Sequence, residues 1–370
     1  MHVYVHVPFC ARRCSYCDFA IAVRREVPSE AFLCAVLKEW GLWQATPIWD
    51  HSRAIETIYL GGGTPSRLAP SAVASLLDAL ARDRPVRAHA EITLEANPDD
   101  VTPAAARAWM AAGVNRISLG VQTLDSGVLR WMHRTHTAAQ TSVAVEVLRA
   151  AGLQNLSLDL IFGLPSELGR DWARDLDLVL ALEPEHLSFY GLTVEPRTPL
   201  GRWTERGEVA PVSEDRYAQE FLDAHAALTS RGYEHYEVSN AARPGYRARH
   251  NAAYWRRAPF IGLGPAAHSG FGRERRWNVK DWSMYQRLLA EGRSPLDGRE
   301  LLDEEAGVLE ELYLGLRTLE GVRQELVQPG QAELWQRAGW AEIGPDRVTL
   351  TPEGWLRLDA LVGSGVLVQR

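Results

Sequence analysis

Cys10, Cys14 and Cys17 place three thiols within eight residues, spaced by three and then by two, close behind the start of the chain. Three is an awkward number for disulfides, and it leaves a closed tetrahedral zinc site one ligand short. A cubane iron–sulfur cluster suits the set better, because three irons take thiolates and the fourth stays open for another ligand. Zinc completed by a distant histidine is the competing reading. The remaining cysteine, Cys34, lies in a helical pattern and reads as a small buried apolar side chain.

Other residues with chemistry to offer recur at regular intervals. Gly61-Gly62-Gly63-Thr64 follows a β-type run, Thr57–Leu60. Without Cβ atoms such a turn lets backbone approach a ligand closely, although a tight strand-to-helix turn accounts for it as well. Glu95 ends the next strand pattern just before Asn97-Pro98, where a buried carboxylate suits ribose hydroxyls. Gln122 and Asp159 close the two strand patterns after that. Each alone reads as support for the fold. At successive strand ends, sharing a rim with three thiols, they read as a binding site.

The elements that must hold them alternate. From residue 1 to about residue 192, strand and helix patterns repeat through roughly six units, the signature of a parallel sheet with crossover helices. Six units are too few to close an eight-stranded barrel, so the fold class expected is α/β, a partial (β/α)6 TIM-like barrel with chemistry at the carboxyl ends of its strands. Helices are expected at Ser29–Gln44, with Ser29 as N-cap, at Pro70–Arg82, Thr102–Ala112, Ala138–Ala151 and Arg170–Leu182. Beyond Thr193 the rhythm changes. Ser213–Arg231 reads as a long amphipathic helix, and residues 239–279 are rich in glycine, arginine and aromatics with weak periodicity. Glu304–Leu316, Gly330–Ala338, a short strand at Val348–Thr351 and Pro352–Leu361 suggest a small, mostly helical, winged-helix-like appendage. The division expected is a barrel core at 1–200, a continuation at 201–295 and a C-terminal appendage at 296–370.

Composition narrows the class. The 370 residues carry a formal charge of −7, so there is no global bid for nucleic acid or anionic membrane. Apolar runs are too short for a membrane span, and the first residues do not form a secretion signal. Few cysteines, clustered as ligands, fit a reducing cytoplasm.

The spacing Cys-x3-Cys-x2-Cys resembles that of the radical S-adenosylmethionine superfamily. Within it, four stretches are similar to the branch shared by HemW-type haem chaperones and oxygen-independent coproporphyrinogen III oxidases. They are Tyr4–Cys10, Gly61–Ser66, Leu119–Gln122 and Asp159–Pro165. The resemblance implies a [4Fe-4S] cluster on Cys10, Cys14 and Cys17, with S-adenosylmethionine on its open iron. It places Tyr4, Tyr16, Gly62, Gly63, Thr64 and Glu95 around that ligand. Gln122, Arg134 and Asp159 match residues that contact a second S-adenosylmethionine in the oxidases; the number of molecules bound here is left open. Two departures point away from the oxidases. Phe19 stands where they carry a further cysteine, and their N-terminal extension has no counterpart before Cys10.

His250-Asn251-Ala252-Ala253-Tyr254-Trp255 resembles the His-Asn-x-x-Tyr-Trp motif of the chaperones, associated with haem. Imidazole is a common axial ligand, and Tyr254 and Trp255 offer flat apolar surface to a porphyrin. Arg243, Arg247, Arg249, Arg256 and Arg257 could pair with propionates. Between Arg243 and Arg276 eight arginines face one acid, Glu274. A discrete anionic ligand is the reading for such a patch, with base-stacking on nucleic acid as its competitor and a packed histidine in a solvated arginine loop as the plainest account. The resemblance therefore implies a cytoplasmic chaperone that takes haem as cargo and passes it to haem proteins, with membrane-associated respiratory complexes as candidate recipients. It also implies a flavodoxin- or ferredoxin-like electron donor and no nucleic-acid partner. The alternative is oxidative decarboxylation of coproporphyrinogen III; radical chemistry on another substrate is a third reading. No catalytic residue is assigned.

Overall fold

The computed structural model describes residues 1–46 and 54–365. Six strands form its centre: β1 (His2–Val7), β2 (Ile55–Gly62), β3 (Val86–Ala96), β4 (Arg116–Gln122), β5 (Leu156–Phe162) and β6 (His186–Gly191). They lie side by side in chain order, and every neighbouring pair is parallel. Helices connect them, as a crossover between parallel strands requires. This is the α/β partial barrel that the alternation of patterns predicts. Side chains alternate across each strand. In β1, Val3, Val5 and Val7 are buried in the apolar core, while His2, Tyr4 and His6 belong to a polar interior.

Both edges of the six-stranded run are extended. On one side β7 (Glu234–Glu237) and β8 (Asn240–Ala242) add antiparallel through β8 to β6. On the other, β9 (Phe260–Leu263) pairs parallel with β1, and β10 (His268–Phe271), β11 (Glu274–Asn278) and β12 (Leu296–Leu301) follow antiparallel. The sheet thus has twelve strands among the described residues. The weakly periodic stretch 239–279 contains four of them and a short helix, Arg249–Trp255. Its periodicity is weak because β10 and β11 present partly exposed residues on both faces, and four-residue strands give little room for a period to show.

Helix starts mostly follow their capping residues. Thr102 accepts from Ala105 N, Thr137 forms a capping box with Gln140, and Ser213 caps the long helix Glu214–Ser230. Ser29 differs from expectation: it is the first helical residue, and its Oγ accepts from Ala69 N across the molecule at 2.9 Å. Cys34 is exposed on that helix, not buried. Toward the C-terminus, Val348 lies in a strand that pairs with two other short strands, giving a three-stranded antiparallel sheet among helices. Its apolar residues join the same continuous core as the barrel.

One buried carboxylate ties the first helix to the far edge. Glu39 accepts from Tyr285 Oη at 2.5 Å, Asn278 Nδ2 at 2.6 Å and Gly264 N at 2.8 Å. Burial raises its pKa from 4.5 to about 7, with the hydrogen bonds opposing. An acid whose folded pKa lies above its unfolded value holds more protons when folded, so its contribution to stability falls as pH rises across that interval. Replacing Glu39 with glutamine is expected to give a shallower fall in melting temperature between pH 4.5 and about 7 than the wild type shows; parallel curves would contradict the assignment.

Candidate functional site

The cysteine loop leaves β1 and is clipped shut at its base. Phe9–Cys10 and Ala22–Val23 form a small parallel pair, with Ala22 N donating to Pro8 O at 2.7 Å and Arg24 N to Cys10 O at 2.9 Å. Its middle is pinned too: Ser15 N donates to Met132 O, and Leu200 N to Ser15 O. The glycine turn closes over the loop's root. Gly63 N donates to Val7 O at 2.7 Å, and a Cβ on Gly63 would stand 2.9 Å from the backbone of Val7, Pro8 and Phe9. Gly62 has φ +110°, and a Cβ there would meet the His6 ring at 2.6 Å. Only glycine allows this approach.

The three thiols open onto one cavity of ≈ 540 Å³. Tyr16 of the cysteine loop, Gly62, Gly63, Thr64 and Glu95 line it, and so do Gln122, Arg134 and Asp159. Every residue that the resemblance associates with cluster or S-adenosylmethionine is there except Tyr4. That side chain faces an adjoining, larger cavity of ≈ 1080 Å³, which shares Asp18, Phe19, Ile21, Gly62 and Glu95 with the first. Tyr59, Asn97, Ser118 and Tyr190 also line the smaller cavity, and the sequence reading passed over them. Alternation could have flagged Tyr59, two residues before Gly61, and Ser118, two before Gly120.

The electrostatics fit a ligand with charges of both signs. Glu95 accepts from Tyr59 Oη at 2.7 Å and Gly62 N at 2.9 Å, and burial lifts its pKa to about 7. Asp159 is raised by burial as well, against hydrogen bonds from Ser118 and Ser157. Arg134 donates to Asn97 Oδ1 at 2.7 Å, to Gly120 O at 2.8 Å and to Cys14 Sγ at 3.7 Å. Its Nε is buried without a hydrogen-bond partner, and its Nη1 stands beside the thiols. Gln122 sits at a bulge in β4 with φ +67°, a strained conformation of the kind found at ligand sites.

Burial raises the Cys10 thiol and pushes that of Cys17 up to about 11. Thr64 Oγ1 donates to Cys10 Sγ at 3.4 Å, which favours the thiolate. Among the described residues no three His, Cys, Asp or Glu groups converge tightly enough to hold one metal ion. The three thiols line one cavity, a donor set that suits a cluster with three thiolate-held irons and one open.

The residues associated with haem are not gathered in one place. His250 is buried with both ring nitrogens engaged, Nδ1 to Thr57 Oγ1 at 2.6 Å and Nε2 to Tyr254 Oη at 2.8 Å. The helix it opens is held by Glu91, which accepts from Arg249 N and His250 N, both at 2.9 Å. Iron on Nε2 would have to displace Tyr254. Tyr254 reaches the larger cavity, whereas Trp255 turns to a separate one of ≈ 420 Å³ under Arg317. Four of the eight arginines of the basic patch are paired with acids: Arg247 with Glu234 and Glu320, Arg257 with Glu310 and Glu311, Arg275 with Glu310, and Arg276 with Glu274. Distant acids supply most of these partners, which local sequence does not reveal.

Residues 4–179 match the Radical SAM superfamily. Over 367 residues the chain is 37% identical to "Heme chaperone HemW" of Mycobacterium tuberculosis, spanning 97% of this chain and 93% of that one. It is 38% identical to the protein of that name in Escherichia coli over 72% of this chain and 69% of the relative. The bovine "Radical S-adenosyl methionine domain-containing protein 1, mitochondrial" is 33% identical over 96% of this chain and 82% of its own length. Among solved structures, coproporphyrinogen III oxidase from Escherichia coli superposes with a TM-score of 0.81 at 22% identity, covering 98% of this chain and 88% of that one, a likeness of fold. The chain belongs to the radical S-adenosylmethionine superfamily, and within it to the HemW family.

Proposed function

We propose that this protein is a cytoplasmic haem chaperone: it binds haem in the larger cavity and hands it to haem proteins. A [4Fe-4S] cluster on Cys10, Cys14 and Cys17 and S-adenosylmethionine occupy the smaller cavity alongside. The observation that carries this reading is the shared wall. Gly62 and Glu95 border both cavities, so a flat cargo and the adenosylmethionine pocket are neighbours on one rim. Likeness to haem chaperones over nearly the whole chain supports the choice of cargo. Among the described residues no helix is long and apolar enough to cross a membrane.

When bound and reduced, such a cluster supplies one electron to the sulfonium of S-adenosylmethionine. The chain's own contribution is position and polarity. Gly62, Gly63 and Thr64 let the ligand lie against backbone, Glu95 offers oxygens to a ribose, and Tyr16 lies beside the thiols. Arg134 brings its guanidinium charge to a carboxylate, with Gln122 beside it and Asp159 lining the same cavity; Tyr4 bounds the ligand from the cargo side. In this reading Tyr254 is a wall of the haem cavity, His250 braces it from behind, and Trp255 has no part in the cargo site. A flavodoxin- or ferredoxin-like donor would supply the electron.

Phe19 weighs against the oxidase alternative. It stands two residues past Cys17, is 65% exposed and lines both cavities, where the oxidases carry a thiol.

Cys14→Ala is expected to abolish the brown chromophore of the anaerobically reconstituted protein together with S-adenosylmethionine cleavage, and retention of both would refute the ligand set. The function itself is tested by measuring haem uptake and coproporphyrinogen decarboxylation side by side on the reconstituted protein. Haem uptake without decarboxylation is the outcome expected; robust decarboxylation without haem uptake would overturn the proposal.

A further inference from the structure

We propose that His268, outside the His250–Trp255 motif, is the residue that ligates the haem iron; this rests on the chaperone reading above. The larger cavity has aromatic walls, Tyr4, Tyr254, Phe260 and Trp282 among them, and two histidines, His6 and His268. His6 is committed to the fold: Nδ1 bonds Tyr4 Oη at 3.1 Å and Nε2 bonds Ala20 O at 3.0 Å. Tyr4 and Tyr254 each have their hydroxyl on an imidazole. No cysteine or methionine lines this cavity among the described residues, and His250 does not line it.

His268 is different on every count. Its ring is exposed to the cavity, and among the described residues neither nitrogen has a protein hydrogen-bond partner. Position is nevertheless fixed. Residue 268 opens β10, pairs with Trp277 in β11, and its ring leans on that indole with centroids 6.0 Å apart. Partial burial and nearby Lys280 both lower its pKa, which favours the neutral imidazole that binds metal. The anionic edge of a haem also finds partners here. Arg257 and Arg275 are taken up by Glu310, but Lys280 and Arg197 line the same cavity without an acidic partner among the described residues. One accessible imidazole implies single histidine ligation, with the opposite face of the iron left to solvent or to a recipient.

The test is haem titration of the full-length, cluster-reconstituted protein, followed by resonance Raman spectroscopy of the ferrous haem complex. The wild type is expected to show an iron–histidine stretching band. His268→Ala, which removes no protein hydrogen bond, should lose that band, recover it with added imidazole, and bind haem at least about tenfold more weakly, since even outer partners of a metal ligand are worth ~10–100-fold. His250→Gln should keep the band. Haem uptake with an unchanged band and affinity in His268→Ala overturns this assignment while leaving the chaperone reading intact. No haem uptake by the wild type overturns that reading and the ligand with it.

Discussion

The whole rim depends on one close contact between backbones. The glycine turn after β2 lies on the root of the cysteine loop so tightly that Gly63 donates to Val7 O and has no room for a Cβ. That contact sets where Cys10 leaves the barrel. The same turn offers Gly62 N to Glu95, so the thiols, the open backbone and the carboxylate of β3 are positioned by one three-residue segment. Moving the turn outward by the width of a methyl group would separate the thiols from the residues meant to receive their ligand.

Inside the barrel a second constraint follows from the first. Parallel strands whose carboxyl ends carry polar side chains leave a polar interior, and buried polar groups must find partners. The helix Arg249–Trp255 supplies them. Its first amides are satisfied by Glu91, His250 meets Thr57, and Tyr254 closes the chain of contacts at the cavity wall. The segment His250–Trp255 is thus, physically, a brace behind the larger cavity. The cavity's free imidazole comes from an edge strand eighteen residues later in the chain.

Much of this was legible beforehand because the barrel repeats. Six alternating units fix which side each strand end faces, so Cys10, Gly62, Glu95, Gln122 and Asp159 could be put on one rim without coordinates. Tyr4 lines the adjoining larger cavity, since it lies near the middle of β1 and not at its end. The strands at the other edge, β10 and β11 among them, were illegible for a physical reason, whereas the edge strand β7 was not. β10 and β11 are short and partly exposed on both faces, so no period marks them. The charge of that region misled for a related reason: Glu234, Glu310, Glu311 and Glu320, which pair with Arg247, Arg257 and Arg275, come from outside it. Exposure of Cys34 shows the same limit, since a helical pattern does not by itself say which face is covered.

The central claim is that haem sits in the larger cavity, sharing a wall with the cluster site. An iron anomalous-scattering map of crystals of the haem-loaded, cluster-containing protein tests it most directly. The account predicts iron density bounded by Cys10, Cys14 and Cys17, and a separate iron peak in the adjoining cavity facing His268. A haem iron beside Trp255 on the far surface, or none within the larger cavity, would contradict it.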